Sequence, residues 1–147
     1  MEEILVLGCD DNIYTCSYGE NEKAYKTTQK AVGGMFEYFD NVPMKLELGN
    51  VKRVAKIDFI CNEEFLIDDN IQKVNALTER LTGRDDIYGD VAVLIDLGNG
   101  KNRGFTEVEK NLFVDVVEDL KETFKERIEK LHEEKDNNKE LPEFYVY

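Results

Sequence analysis

The chain has 147 residues, of which 41% are hydrophobic and 10% aromatic, enough to bury the core of one globular domain. Its formal net charge of −13 argues against direct binding of nucleic acid, because that binding draws on a surplus of lysine and arginine. The excess of carboxylates favours instead a protein that meets the basic surface of a partner protein.

The residues that usually bind metals are too few or wrongly spaced. The cysteines Cys9, Cys16 and Cys61 show no Cys-x-x-Cys spacing, so neither a disulfide framework nor a zinc site is indicated. His132 is the only histidine, and no carboxylate run has the spacing of a calcium-binding loop. We therefore expect no metal and no cofactor.

Targeting signals are also missing from the sequence. The N-terminal residues after Met1 are acidic, whereas a secretory signal peptide begins with basic residues. No apolar run approaches the ~20 residues that a membrane span requires. We therefore expect a cytoplasmic protein without a membrane partner.

The first half of the chain predicts short strands and one small helix. Residues 3–18 have the pattern of a hairpin, in which the apolar run Ile4–Leu7 precedes a polar turn and a second alternating run. Asn21 can cap a helix over Glu22–Val32, which Gly33 ends. Three further strands are predicted, over Met35–Phe39, Met44–Leu48 and Val54–Cys61.

The strand Val54–Cys61 is predicted to be the centre of the sheet. Ile57, Phe59 and Cys61 alternate with more polar positions, so one face of this strand should be buried beneath the helices. The strand ends at a polar corner made by Asn62, Glu63 and Glu64.

The second half predicts two helices flanking a strand. Asp69 followed by Gln72 has the form of a capping box, which predicts a helix that begins at Asp69 or Asn70 and continues to Leu81. Val91–Ile95 is the most hydrophobic strand candidate. The glycine-rich segment that follows, Gly98–Gly104, suggests a phosphate-binding loop. It lacks the Walker spacing, however, and a turn of the Asn-Gly type fits it better.

Thr106 and Glu109 form a second capping box, which predicts one long helix over residues 106–134. Residues 136–147 are predicted to be a linker and an apolar tail that is either a last edge strand or a docking segment for a partner. Residues 1–135 are predicted to form a single α+β domain, with a mostly antiparallel sheet of four to six strands, two short helices and the long C-terminal helix.

One face of the long helix carries a regular row of carboxylates, which we call the acidic stripe. The intervals between its members are 4, 3, 4, 3 and 4 residues, which places them in one arc about 80° wide, opposite the apolar face. No lysine or arginine falls within this arc. The acidic stripe consists of Asp115, Asp119, Glu122, Glu126, Glu129 and Glu133.

Two interpretations of the acidic stripe stay open. Its members are ~5 Å apart along the helix axis, near the spacing of phosphates on a nucleic-acid strand, so the stripe can dock on a basic groove or mimic nucleic acid. Solvated helix faces in acidic proteins also carry many carboxylates. Nucleophilic catalysis is not indicated, because the only histidine lies on the flank of the last helix, and we expect no enzymatic activity.

Three short motifs resemble a family of small proteins of unknown function that are carried by phages, plasmids and conjugative elements, some of them near antirestriction genes. The motifs are Val32-Gly-Gly-Met-Phe-Glu-Tyr38, Ile60-Cys-Asn-Glu-Glu64 and Asp86-Ile-Tyr-Gly-Asp90 leading into the strand Val91–Ile95. The likeness covers residues 3–96, and the long helix and the tail lie outside it. After Glu64 the chain has Phe65-Leu-Ile-Asp-Asp69, where members of that family carry a Gly-Leu-Pro-x-Asn segment. The resemblance implies a mobile-element setting and does not imply an activity.

These observations support two hypotheses of function. The first is a non-enzymatic inhibitor that blocks a basic surface on a host defence or nucleic-acid-processing protein, in an anti-restriction or anti-CRISPR-like role. The second is a small-ligand or nucleotide-binding protein that uses the corner Asn62–Glu64 together with the loop Gly98–Gly104.

Overall fold

A computed structural model describes residues 2–17, 24–48, 51–62 and 73–136. In these ranges the chain has an α+β fold, with an antiparallel sheet in the strand order β2-β1-β5-β4-β3 and β6 paired to β5. The elements in chain order are β1 Glu3–Leu7, β2 Ile13–Ser17, α1 Ala24–Val32, β3 Phe36–Leu48, β4 Val51–Asn62, α2 Ala76–Thr82, β5 Val91–Gly98, β6 Lys101–Arg103, α3 Glu107–Thr123 and α4 Lys125–Lys135.

The middle strand of the sheet is β5, with β1 on one side and β4 on the other. Its residues Val91–Ile95 are all buried, as the long apolar run predicts. The prediction that the strand at 54–61 is central is therefore wrong, although the strand itself is confirmed as part of β4. A buried alternating pattern identifies an interior strand but does not say whether it is the middle one, because the strand order depends on which strands pair.

Helices cover both faces of the sheet. On one face Phe59 and Cys61, both 0% exposed, belong to a core that includes residues of α2, α3 and α4. On the other face Ile60 and Leu94 pack with Val32 of α1. The predicted burial of Phe59 and Cys61 is confirmed, because alternate residues of β4 point to opposite sides of the sheet.

The two strands predicted at Met35–Phe39 and Met44–Leu48 form one continuous strand, β3, of 13 residues. The register against β4 shifts between Tyr38 and Asp40, which places a bulge at Phe39. Pro43, which lies between the two predicted strands, does not interrupt β3, because β3 is an edge strand, where a residue without an N–H group is tolerated.

The second helix begins later than its sequence predicts. Asn75 is the N-cap of α2, and its side-chain oxygen accepts a hydrogen bond from the backbone N–H of Thr78. Val74 instead forms an isolated bridge with Tyr88. Asp69 and Gln72, on which the earlier start was predicted, lie outside the described residues.

The capping box of Thr106 and Glu109 is confirmed at the start of α3. The single long helix is not confirmed, because Phe124 (φ −113°, ψ 24°) separates α3 from α4. The aromatic ring of Phe124 packs against the core and lies under the guanidinium of Arg80, 3.9 Å from the ring centroid. The interruption therefore coincides with a contact to α2.

The glycine-rich segment after β5 is a tight β5–β6 hairpin. Gly98, Asn99 and Gly100 have positive φ angles, which Asn and Gly adopt most readily, so the interpretation as an Asn-Gly type of turn is correct. No helix in the described ranges has the length and apolarity that crossing a membrane requires. Glu63, Glu64 and the predicted tail at residues 137–147 lie outside the described residues.

The buried position of Phe59 generates the first prediction. Changing Phe59 to Ala should lower the free energy of unfolding by ~3–5 kcal/mol, because it removes a large side chain from a closed core. Changing Val54 to Ala in the same strand should have little effect, since Val54 is 74% exposed. Urea denaturation of the two variants measures both effects, and equal losses of stability would contradict the assigned faces of β4.

Candidate functional site

The acidic stripe lies on two successive helices. Asp115, Asp119 and Glu122 belong to α3, and Glu126, Glu129 and Glu133 belong to α4. All six side chains are exposed. The interruption at Phe124 divides the stripe into two groups of three, so that only Asp115–Asp119 and Glu129–Glu133 remain as pairs four residues apart within one helix.

The lysines beside the acidic stripe contact carboxylates that do not belong to it. The Nζ atom of Lys121 lies 3.7 Å from Glu118, and that of Lys130 lies 3.9 Å from Glu134. Within the described ranges, no stripe carboxylate forms an ion pair. The charge of the stripe is therefore not neutralised by the described part of its own chain.

A groove of about 540 Å³ adjoins one end of the acidic stripe. Asp115, Val116 and Asp119 of α3 line it together with Lys45 of β3. The sequence predicts a stripe without basic residues along the helix, and the fold brings one lysine to it from a distant strand. Only the packing of α3 on the edge strand could have revealed this neighbour.

The alternative ligand site is not assembled by the fold. In the register of β4 and β5, Ile60 pairs with Ala92 and Ile57 pairs with Ile95. Asn62 therefore lies at one end of this ladder and Gly98 at the other, roughly 25 Å apart at ~3.3 Å per residue. The corner at Asn62 and the loop Gly98–Gly104 cannot contact one small ligand together.

Two of the motifs that carry the family resemblance contact each other. The side-chain amide of Asn62 donates a hydrogen bond of 3.1 Å to the backbone oxygen of Val32. A β-carbon added at Gly34 would lie 3.2 Å from the Nδ2 atom of Asn62, so the glycine leaves room for this amide. This contact between the two motifs holds the end of α1 against the end of β4.

The third motif, at 86–90, also has structural contacts. The backbone oxygen of Ile87 accepts a hydrogen bond from the N–H of Asn75, and the backbone oxygen of Gly89 accepts one from the Asn75 side chain. The carboxylate of Asp90 accepts the backbone N–H of Cys9 at 3.0 Å. These motifs therefore account for local architecture rather than for chemistry.

His132 forms a polar contact that sequence reasoning missed, which we call the His132 clasp. Its Nε2 atom lies 2.9 Å from Asp11, and its Nδ1 atom lies 3.0 Å from Asp136. Asp136 also accepts the backbone N–H of Val74 at 2.9 Å. The clasp joins the end of α4 to the β1–β2 turn and to the segment before α2, across 121 residues of sequence. The i,i+4 spacing of His132 and Asp136 is a local pattern, whereas the contact with Asp11 depends on tertiary packing.

The two carboxylates favour the protonated imidazolium, because each ring nitrogen can donate a hydrogen bond only when it carries a proton. Burial of the ring opposes this and would lower the pKa of His132. The hydrogen bonds to Asp11 and Asp136 outweigh burial, so the pKa is raised above its usual value of 6.5. The raised pKa extends to higher pH the range in which the His132 ring is protonated and the clasp is charged.

The thiol of Cys9 is not activated as a nucleophile. Burial and the nearby carboxylate of Asp90 raise the pKa of the Cys9 thiol to about 12, so this thiol stays protonated and is a poor nucleophile. Among the residues that the structure describes, no group of three or more histidine, cysteine or acidic side chains is arranged to hold a metal ion. Comparison with family models, with curated proteins and with solved structures finds no match. The resemblance to mobile-element proteins stays a prediction.

The His132 clasp generates a prediction about pH. A histidine whose pKa is raised in the folded state stabilises the fold fully below its unfolded pKa, near 6.5, and this contribution is lost as the pH rises through the folded pKa. The parent should therefore exceed the His132→Gln variant in free energy of unfolding at about pH 5.5, and the difference should shrink towards about pH 9. Denaturant titrations across this range measure the difference in free energy of unfolding. A difference that does not change with pH would mean that the clasp is not charged.

Proposed function

We propose that the protein is a non-enzymatic binding protein that docks the acidic stripe on the basic surface of a partner protein. The observation that carries this proposal is that six exposed carboxylates on α3 and α4 have no ion-pair partner in the described ranges. Exposed charges without a partner raise the rate of encounter with a basic surface and orient the two proteins.

The class of partner follows from the arrangement of charge. Stripe members within each helix follow one another at ~5 Å along the axis, comparable to phosphates along a nucleic-acid strand. A protein with a groove for nucleic acid presents lysines and arginines at such intervals. We propose a nucleic-acid-processing or host defence protein as the target, with this chain as a mobile-element inhibitor in an anti-restriction or anti-CRISPR-like role.

The small-ligand hypothesis is the weaker of the two. The side chain of Asn62 is buried and bonded to Val32, and the loop Gly98–Gly104 is occupied by a hairpin turn at the opposite end of the sheet. Glu63 and Glu64 lie outside the described residues. No single pocket in the described ranges unites the residues on which that hypothesis depends.

The proposal predicts a specific effect of charge reversal. Changing Glu129 and Glu133 to Lys keeps a like-charge pair four residues apart, but it places a cation at position 133 in the last turn of α4, where the helix dipole favours it, so α4 should be about as stable as in the parent. Capture of basic proteins from host lysate at about 50 mM salt should nevertheless fall at least tenfold, because the steering charge is reversed. Quantitative mass spectrometry of the captured proteins gives the measurement.

A matched control separates the position of the charges from their number. Changing the exposed residues Glu37 and Asp85 to Lys alters the net charge by the same amount, away from the stripe. This control should retain the parent's partners, and all captured proteins should dissociate at about 500 mM salt. If both variants lose the same proteins to the same extent, binding reflects total charge and the stripe is only a solvated face.

A further inference from the structure

The two contacts of the His132 clasp depend on the protonation state of one ring. The Nε2 atom of His132 lies 2.9 Å from a carboxylate oxygen of Asp11, and the Nδ1 atom lies 3.0 Å from a carboxylate oxygen of Asp136. An ionised carboxylate only accepts hydrogen bonds, and only the protonated imidazolium carries a hydrogen on both ring nitrogens. The neutral ring has one N–H group, so one of the two carboxylates must then face a lone pair.

The surroundings of the two carboxylates decide which contact the neutral ring keeps. The side chain of Asp136 is 8% exposed, and it also accepts the backbone N–H of Val74. The side chain of Asp11 is 27% exposed. A buried charge that loses a partner costs more than a charge that water can solvate. The neutral ring therefore keeps its proton on Nδ1, towards Asp136, and turns its lone pair towards Asp11.

The β1–β2 turn, residues 8–12, is attached to α4 through Asp11. In the described ranges the side chain of Asp11 forms hydrogen bonds with His132 alone. The backbone of Asp11 has a φ angle of 68°, in the left-handed region that most residues with a β-carbon avoid. Two backbone hydrogen bonds close the turn, from Gly8 to Asn12 and from Asp11 to Gly8. Loss of the contact with His132 therefore frees the turn from α4 and leaves the hairpin closed.

The other charged groups around the clasp do not replace this contact. Lys135 lies 3.5 Å from Glu79 and 3.1 Å from Asp86, which ties α4 to α2 and to the segment before β5. Burial lowers the pKa of Lys135, but the carboxylates of Asp86 and Glu79 raise it above 10.5, so Lys135 stays charged where a histidine titrates. None of the remaining titratable groups on the adjoining segments and on α4 forms a hydrogen bond with the His132 ring in the described ranges. These groups are Cys9, Asp10, Lys73, Tyr88, Asp90, Glu129, Glu133 and Glu134.

We infer that the His132 clasp is a latch that holds the β1–β2 turn against α4 when the ring is protonated and releases the turn when the ring is neutral. Burial alone would lower the pKa of His132, but the hydrogen bonds and charges of Asp11 and Asp136 raise it above 6.5. The latch is therefore closed at acidic pH and opens as the pH rises through the pKa of the folded state. After opening, α4 remains attached through Asp136 and Lys135, whether or not the acidic stripe binds a partner.

The protonation of the ring can be followed directly in the full chain. His132 is the only histidine, so its ring nitrogens give isolated signals in a heteronuclear NMR spectrum. Between about pH 5.5 and about pH 9 the ring should pass from the doubly protonated form to the neutral tautomer with hydrogen on Nδ1. Free histidine in water favours the other tautomer, with hydrogen on Nε2, so this result is specific to the contact with Asp136.

Hydrogen exchange measures the release of the turn. Over the same pH range, exchange of the Asp11 amide should accelerate roughly fivefold after correction for the intrinsic effect of pH, because the turn becomes more mobile. The amides of β1 should show no such change, since β1 is paired on both sides.

Two variants assign the release to its cause. Asparagine tolerates the left-handed region, and its amide can donate a hydrogen bond to the lone pair of the neutral ring. The Asp11→Asn variant should therefore keep the turn attached at both pH values, and exchange of the amide at position 11 should not accelerate. Glu133→Gln removes one negative charge next to His132 without altering the turn, so this control should behave as the parent.

Three results would overturn the latch. A neutral ring with hydrogen on Nε2 would mean that the contact with Asp136 is the one that is lost. Unchanged exchange of the Asp11 amide in the parent would show that the turn stays on α4. Equal acceleration in the parent and in the Asp11→Asn variant would show that the mobility of the turn does not depend on the charge that faces the ring.

Discussion

The side-chain amide of Asn75 holds the helical layer on the sheet. This side chain is 0% exposed, and its Nδ2 atom donates to the backbone oxygens of Leu7 and Gly89, both at 2.8 Å. Its oxygen caps α2 at the N–H of Thr78. Replacing Asn75 with a residue that cannot make these hydrogen bonds would leave several buried polar groups without a partner. Each such group costs ~1–3 kcal/mol of stability. The position of α4 depends on this junction, because α4 packs on α2 through Phe124 and Arg80.

Repulsion between the carboxylates of the acidic stripe destabilises α3 and α4, and interactions elsewhere in the fold must offset this cost. Like charges four residues apart destabilise a helix by a few tenths of a kcal/mol per pair. At the start of α3, hydrogen bonds from Arg103, followed by those from Thr106, lower the pKa of Glu109 to about 2 despite burial. This carboxylate therefore stabilises the fold fully above its unfolded pKa of 4.5, and its contribution is lost as the pH falls towards 2. At the other end the His132 clasp fixes α4. The helices are secured at their ends, which leaves the carboxylates between them free of structural contacts.

Local patterns predicted the parts of the fold that local interactions determine. The capping box at Thr106 and the burial of Phe59 follow from spacing and alternation, and both are confirmed. The start of α2 was mispredicted because the buried amide of Asn75 acts through contacts with β1 and with the segment before β5, whereas Asp69 offered a local cap. Lys45 lies beside the acidic stripe, and Asp11 lies beside His132, only because tertiary packing brings distant segments together. The stripe residues themselves were identified from the sequence, but the division at Phe124 was not.

The two ends of the sheet differ in how their polar groups are used. At the end where β1 and β4 finish, Asn75, Asp136 and the amide of Asn62 bond to backbone groups of neighbouring segments. At the opposite end β4 extends past its pairing with β5, and the hairpin formed by β3 and β4 separates from the β5–β6 hairpin. A sheet with both ends closed would be more stable but would offer no unpaired backbone. Because the bonded end fixes the strand register, the other end can remain open without loss of the fold.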